Sequence, residues 1–447
     1  MTIESNNLDL LVNLISKAGK AGADGADAVF VESESLAFSQ RLGERERLER
    51  AEHTDLGLRV FIGRRQAIVS SSDLSPGTLQ ELVEQAVTMA RSTPEDPYCG
   101  LAPPELLATA ITDLDICDES EPTVEILAER AGRAEDAARA VAGVSNSEGA
   151  EASWGRGTFA VAASNGFAQT FSSSRHSISV AVLAGEGTAM ERDFDFASAV
   201  YAEDMSPPEE IGLNAGKKAV ARLNPRKANS SKVSVVYDWR VSSGIISHLA
   251  SAINGSSIAR GTTFLKDQLE KRIFPDSVTI VDDPLRRRGL KSKPFDGEGV
   301  ATTRRNIIDS GRLTTWVLDL RSARQLKMTT TGHASRGTSS PPSPSPTNLY
   351  LQAGAVSPKE LMSDIKNGFY ITELIGFGIS VVTGDYSRGA YGFWIENGEL
   401  TYPVSEVTVA GNLKDMFANL TAADDLQFRF GTNAPTMRVD GMTVAGK

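Results

Sequence analysis

Residues 383–394 read Thr383-Gly384-Asp385-Tyr386-Ser387-Arg388-Gly389-Ala390-Tyr391-Gly392-Phe393-Trp394. Strand-like stretches lie on both sides of this segment, at 379–383 and 393–395. Because glycine is a typical turn residue, the pattern predicts a tight connection between two strands, with Asp385 and Arg388 capping backbone groups. A second interpretation is a lip of aromatic side chains and open backbone that accepts an extended peptide as an added strand.

The residues around this segment predict a domain made mostly of antiparallel strands. Asn397-Gly398 separates two strand-like stretches and is typical of a two-residue hairpin turn. Further strand signals occur at 233–237, 278–281, 313–318 and 406–409, and a helix is predicted over 241–253. We therefore expect a β-rich C-terminal domain.

The N-terminal half predicts a sheet accompanied by helices. Apolar residues at helical spacing indicate a helix over 7–20, and strand-like stretches follow at 28–32, 36–42 and 58–62. A polar stretch at 224–231 is the best candidate for a domain boundary. The sequence thus predicts an α+β protein of two domains, residues 1–228 and 229–447.

Composition argues against several classes of function. The chain of 447 residues has 46 basic and 57 acidic side chains, a formal net charge of −11, which disfavours a nucleic-acid ligand. No apolar run is long enough for a membrane helix, and the first ten residues lack the features of an export signal. With only Cys99 and Cys117 as cysteines, we expect a cytoplasmic protein without a disulfide framework.

A zinc-peptidase helix is not apparent in the sequence. Such a helix carries two histidines one turn apart and a glutamate that activates the bound water. His248 lies on a predicted helix, but Leu249 follows it, and Ala252 and Ile253 stand one turn further on. None of these three side chains can bind a metal or titrate.

The other histidines leave one alternative open. His53, His176 and His333 are scattered among predicted strand ends and loops. A metal site made from them requires the fold to bring distant residues together.

Several segments carry a resemblance to a known family. The matching segments are 384–390 (GDYSRGA), 392–399 (GFWIENGE), 402–413 (YPVSEVTVAGNL), 331–336 (TGHASR), 346–351 (PTNLYL), 257–262 (SIARGT) and 440–446 (DGMTVAG). They resemble the C-terminal signature of the TldD/PmbA proteins, also called the modulator of DNA gyrase family. The resemblance spans nearly the whole chain, and its specific motifs are in the C-terminal half.

The resemblance implies a role without a metal in this chain. The family has two branches that pair as a heterodimer, and the zinc-bearing TldD branch carries His-Glu-x-x-x-His and a cysteine ligand near its C-terminus. This chain has Leu249 and Ile253 at the glutamate and second histidine positions after His248, and no cysteine beyond Cys117. It therefore resembles the PmbA (TldE) branch.

The function implied is that of the non-zinc subunit of a cytosolic metallopeptidase that acts on unfolded or modified peptides. We expect no catalytic residue and no cofactor in this chain, and zinc in a TldD-type partner. The candidates for contact with substrate or partner are Arg260, Arg336, Asn348, Asp385, Ser387, Arg388, Phe393 and Trp394.

Two other functions remain as alternatives. One is a homodimeric protein that binds peptides or regulates and has no peptidase role. The other is direct modulation of gyrase through DNA, which follows only from the older family name and which the net charge disfavours.

Overall fold

The computed structural model describes residues 3–446, with side chains described from Asn7 onward. Its helices are α1 (Ile3–Lys20), α2 (Pro76–Ser92), α3 (Val124–Arg139), α4 (Pro208–Ala221), α5 (Trp239–Ala252), α6 (Gly255–Arg260), α7 (Leu320–Leu326), α8 (Pro358–Met362) and α9 (Leu413–Ala418). None of these helices is both long enough and apolar enough to span a bilayer.

The N-terminal part is built on one antiparallel sheet. Its strands are β1 (Gly25–Arg41), β2 (Glu44–Ile62), β3 (Arg65–Ser71), β4 (Val144–Ala163), β5 (Ala168–Ala184) and β6 (Glu191–Ala199). They lie in the order β3-β2-β1-β4-β5-β6. Two apolar cores form against the sheet, one with α1 and α2 and one with α3 and α4.

Three further sheets, of six, five and two strands, form the C-terminal part. Its strands are β7 (Ser231–Tyr237), β8 (Ile280–Asp282), β9 (Arg305–Asp309), β10 (Arg312–Leu313), β11 (Ala334–Ser335), β12 (Ser343–Pro344), β13 (Leu349–Leu351), β14 (Asn367–Ile379), β15 (Asp385–Glu396), β16 (Glu399–Asn412), β17 (Leu420–Ala422), β18 (Thr432–Asn433) and β19 (Met437–Ala445). The six-stranded sheet has the order β16-β15-β14-β7-β19-β17, and β16 also pairs with β19. Strands β7, β14, β15, β16 and β19 therefore close into a ring, in which only β7 and β14 are parallel neighbours. The prediction of an α+β protein with a mostly antiparallel C-terminal part is confirmed.

The segment 383–394 departs from the prediction of a tight connection. The chain turns at residues 380–384, and β15 then runs without a break from Asp385 to Glu396. A Cβ atom at Gly392 would lie 1.8 Å from Tyr370 O on the neighbouring strand. This glycine therefore allows close strand packing beside a bulge, and it does not break the strand.

The Asn397-Gly398 hairpin is confirmed. Both residues have positive φ, 52° and 83°, as the predicted two-residue turn requires, and they join β15 to β16. The helix predicted over 241–253 is also confirmed, since α5 covers Trp239–Ala252. This helix follows directly after β7 and lies close to β14.

Candidate functional site

His248 lies on α5, whose first turn is capped by the Asp238 side chain. Leu249 and Ile253 are both fully buried in the apolar core beneath the helix. His248 is half-buried, and its ring lies 6.1 Å, centroid to centroid, from the ring of Tyr386 on β15. The helix therefore directs its histidine toward the closed ring of strands.

Arg388 lies two residues beyond Tyr386 on β15, so the two side chains share one face of the strand. Its Nη2 donates a hydrogen bond to Leu374 O on β14 at 3.2 Å. Tyr237, at the end of β7, is fully buried and lies close enough to Tyr386 and Arg388 for both to affect its pKa. We call this group the Arg388 cluster; its members are Tyr237, His248, Tyr386 and Arg388.

Burial determines the protonation of the cluster. Burial, together with the smaller effect of the nearby Arg388 guanidinium, lowers the pKa of His248 to about 4, so the imidazole is neutral at pH 7. Burial raises the pKa of Tyr386 to about 12, and it also raises the pKa of Tyr237. Arg388 therefore carries the only charge of the four side chains.

Three polar atoms of the cluster are buried without a hydrogen-bond partner in the part of the chain that the structure describes: His248 Nε2, Tyr386 Oη and Arg388 Nε. The hydroxyls of Tyr237 and Tyr386 lie close enough to interact electrostatically, but Tyr386 Oη makes no hydrogen bond of good geometry. Buried polar groups are normally paired, so three unpaired atoms distinguish this cluster from a fully satisfied network.

The side chains at this position do not fit a zinc ion. Zinc requires several nitrogen, sulfur or carboxylate ligands, whereas His248 has only aliphatic side chains at the motif positions and a guanidinium nearby. Among the side chains that the structure describes, from residue 7 to residue 446, no group of three or more His, Cys, Asp and Glu residues is placed to hold a metal ion. We therefore derive no metal-dependent step for this chain.

Arg336, a predicted contact residue, lies in a buried ion cluster that joins the two parts of the chain. Its Nη1 donates to Asp27 Oδ1 at 2.8 Å, and Arg59 also binds Asp27 through its guanidinium. Glu298 lies 3.7 Å from Arg59. Burial raises the pKa of Asp27, but Arg336 and Arg59 outweigh this effect and hold it below its usual value. We call Asp27, Arg59, Glu298 and Arg336 the Asp27 cluster.

The motif around His333 forms a second closed network. His333 Nε2 lies 2.9 Å from Asp282 Oδ2, and its Nδ1 lies 2.8 Å from Thr331 Oγ1. Thr347 donates to Asp282 from both its backbone nitrogen and its hydroxyl. These four side chains, all at most 5% exposed, form the His333 cluster.

Asn348 follows the His333 cluster in sequence and is also satisfied internally. Its Nδ2 donates to Asp283 O and Ser292 Oγ, and its Oδ1 accepts from Lys291 N. Asn348 therefore has its side chain fully engaged in internal hydrogen bonds, whereas Arg336 is bound to Asp27 through Nη1 and has its Nε and Nη2 buried without a partner among the described residues.

The remaining predicted contact residues are placed differently from one another. Asp385 is exposed and accepts hydrogen bonds from Thr383 Oγ1 at 2.6 Å and Asn412 Nδ2 at 3.2 Å, which lower its pKa. Ser387 is exposed on the same strand, and Arg260 is exposed at the end of α6.

The two aromatic candidates lie on β15. Phe393 is half-buried, whereas Trp394 is 8% exposed and packs against Phe369, with ring centroids 6.5 Å apart.

Sequence reasoning missed two members of the Arg388 cluster. Tyr386 lies within the quoted motif, and its spacing of two residues from Arg388 on a strand could have identified it. Tyr237 carries no such signal, because it is brought near β15 only by the pairing of strands that are far apart in sequence.

Comparison with known proteins agrees with this architecture. Profiles described as PmbA/TldA metallopeptidase domain 1, central domain and C-terminal domain match residues 26–90, 117–223 and 230–446. The chain belongs to the PmbA/TldD family. The predicted boundary near residue 228 falls between the last two matches, but it stays a prediction.

Relatives within the PmbA/TldD family point to the PmbA branch. The chain is 38% identical to "Metalloprotease PmbA" of Escherichia coli O157:H7, over 98% of this chain and 96% of that protein. It is 37% identical to the PmbA homolog of Haemophilus influenzae, over 97% and 94% of the two chains. The predicted resemblance to the PmbA (TldE) branch is confirmed.

Solved structures of PmbA/TldD proteins share the fold. A putative modulator of DNA gyrase from Bacteroides thetaiotaomicron matches with a TM-score of 0.91 and 27% identity, over 100% of both chains. TldE from Thermococcus kodakarensis matches with a TM-score of 0.88 and 20% identity, over 98% of this chain and 100% of that chain, a likeness of fold alone.

Proposed function

We propose that this chain is the non-zinc subunit of a cytoplasmic TldD/PmbA-type peptidase complex. In this role it pairs with a TldD-type zinc subunit and helps to enclose and orient an unfolded or modified peptide. The observation that carries the proposal is the chemistry at His248, where Leu249 and Ile253 stand at the remaining motif positions and the Arg388 guanidinium lies nearby. The names of the relatives, which are metalloproteases, support a role in peptide hydrolysis.

An exposed apolar tip offers a surface for such a partner. Phe377 on β14 is 97% exposed, and Ile375 and Val382 are 49% and 60% exposed. Neighbouring exposed apolar residues mark interaction surfaces more often than isolated ones do. The tip begins one residue after Leu374, to which Arg388 donates a hydrogen bond, so a partner bound there would lie next to the Arg388 cluster.

The test is reconstitution with a TldD-type zinc subunit. The purified chains are mixed, and cleavage of an unstructured fluorogenic peptide is compared with cleavage by the zinc subunit alone. We expect a gain of roughly tenfold, equivalent to about 1.4 kcal/mol of barrier. Equal rates with and without this chain would contradict the proposal.

A pair of matched variants tests whether the exposed apolar tip contacts the zinc subunit. Phe377→Ser is expected to weaken the mixed complex on size-exclusion chromatography, whereas Leu400→Ser, at a 42% exposed residue on β16, is expected to leave it intact. A chain that forms only homodimers in the presence of the zinc subunit would instead favour the alternative of a homodimeric peptide-binding protein.

A further inference from the structure

A cavity of about 640 Å³ lies in the C-terminal part of the chain, and none of its lining residues belongs to the Arg388, Asp27 or His333 cluster. Its walls come from residues 264–276 and 414–418. Phe274 and Phe417 are buried and form the floor, whereas Lys414 and Ala418 are exposed at the rim. The cavity is therefore open to solvent. Its volume is within the range of roughly 300–1,000 Å³ that is usual for ligand pockets.

Three phenylalanine rings give this pocket its chemical character. The rings of Phe274 and Phe417 stack, with centroids 4.7 Å apart, and the ring of Phe264 lies 6.2 Å from that of Phe417. Aromatic rings attract a further ring in offset-stacked or edge-to-face geometry, in addition to the gain from burying apolar area. The walls therefore favour an aromatic group over an aliphatic one.

The polar groups of the pocket favour a ligand without charge. Arg272 and Asp276 form a salt bridge with each other, so their charges cancel. The Lys414 ammonium lies 5.9 Å from the centre of the Phe264 ring, and the Asp385 carboxylate is near enough for the two charges to interact. Gln268 has an amide that can both donate to and accept from a peptide backbone. A neutral aromatic side chain fits these groups better than an ionic one does.

Phe264 connects the pocket to the exposed apolar tip. Its backbone nitrogen donates a hydrogen bond to Val381 O at 3.0 Å, and Val381 directly precedes Val382 of the tip. Because the zinc subunit is proposed to bind at this tip, a peptide enclosed between the two subunits would lie beside the mouth of the pocket.

We propose that the pocket formed by residues 264–276 and 414–418 binds an aromatic side chain of the peptide substrate. The identity of the ligand as a peptide rests on the proposed function, whereas the preference for an aromatic group rests on the pocket itself. Phe264, Phe274 and Phe417 contact the bound ring. The pocket selects and positions the peptide and performs no bond cleavage.

The test measures binding to the purified chain without any partner subunit. Three N-acetylated, C-amidated pentapeptides that differ only in a central phenylalanine, leucine or alanine are compared by calorimetry. We expect the phenylalanine peptide to bind at least about tenfold more tightly than the alanine peptide, because it buries more apolar area. Leucine should fall between them, since it makes no ring contacts. Equal affinities for the phenylalanine and alanine peptides, no binding of any peptide, or tighter binding of leucine would overturn the proposal.

A cavity-filling variant locates the effect. Ala418→Trp adds a large side chain at an exposed lining residue at the end of α9, so the phenylalanine peptide should bind no better than the alanine peptide. Ala353→Trp is the matched control, because Ala353 is exposed in the same part of the chain and does not line the pocket. A preference for phenylalanine that survives Ala418→Trp would overturn the assignment.

The same variant distinguishes a peptide from the partner as the occupant. If Ala418→Trp prevented formation of the mixed complex with the zinc subunit but left peptide binding unchanged, a side chain of the partner would occupy the pocket. That result would also overturn the proposal.

A measurement on the unaltered protein guards against a variant that misfolds. The pentapeptide is made with photoreactive p-benzoylphenylalanine at its centre, and the crosslinked chain is analysed by mass spectrometry. We expect crosslinks within residues 264–276 and 414–418. Crosslinks confined to other segments would contradict the assignment.

Because the calorimetry uses the isolated chain, its outcome is separate from that of reconstitution. An aromatic preference without any gain in cleavage would support the pocket and contradict the complex. A gain in cleavage without an aromatic preference would support the complex and contradict the pocket.

Discussion

The His333 cluster and the Arg388 cluster both include polar residues from the family motifs, but they differ in how their hydrogen bonds are satisfied. In the His333 cluster, both ring nitrogens of the histidine and both oxygens of Asp282 have partners. In the Arg388 cluster, three polar atoms have none. A closed network stabilises the fold, whereas buried polar atoms without partners cost stability.

The largest loss of stability is expected from a substitution in the His333 cluster. His333→Ala removes a buried partner of Asp282 and should lower the free energy of unfolding by about 3–5 kcal/mol. Urea unfolding followed by circular dichroism measures this change. His53→Ala, at an exposed residue, should stay within about 0.5 kcal/mol. Similar small effects for both variants would remove the distinction between the clusters.

The Asp27 cluster should make the free energy of unfolding depend on pH, with an effect of intermediate size. Burial raises the pKa of Glu298 to about 8, and although Arg59 opposes this rise, Asp296 adds to it. The folded chain therefore keeps a proton that the unfolded chain has lost above pH 4.5. The resulting stability is fully present below pH 4.5 and is lost as the pH rises to about 8.

Glu298→Gln tests this pH dependence. The charged groups that act on Glu298 are Arg59, Asp296, Asp319 and Arg336. With these groups unchanged, Glu298→Gln should flatten the decline of the free energy of unfolding between pH 5 and pH 8. For one proton, this decline is at most ~1.4 kcal/mol per pH unit. Urea unfolding across this range gives both slopes, and parallel slopes would show that Glu298 does not titrate there.

The smallest effect on stability is expected in the Arg388 cluster. Tyr386→Phe removes a hydroxyl that lies near the Tyr237 hydroxyl but makes no hydrogen bond of good geometry, so the free energy of unfolding should change by less than about 1 kcal/mol. The same unfolding experiment measures it. A loss as large as that of His333→Ala would mean that the hydroxyl is already paired in the folded chain.

The sequence predicted elements whose signals are local. Asn397-Gly398 indicated its hairpin because both turn positions require positive φ, and α5 followed from its apolar spacing. Gly392 was misleading, since a glycine that permits close strand packing has the same appearance in sequence as one that ends a strand.

The candidate site was only partly predictable. Arg388 and His248 stood out through their motifs, but so did Arg336 and Asn348, whose side chains the fold encloses in internal networks. Whether a polar motif residue is satisfied depends on tertiary neighbours, which residue spacing does not reveal. Tyr237, on β7, is brought near β15 only by the pairing of strands that are far apart in sequence.

The most direct test of the account is the zinc content of the isolated chain. The protein is incubated with zinc, passed through a desalting column and analysed by elemental mass spectrometry. Because the Arg388 cluster offers a guanidinium and a single imidazole, we predict far less than one zinc per chain. Tightly held zinc at one ion per chain, lost in His248→Ala, would contradict the account.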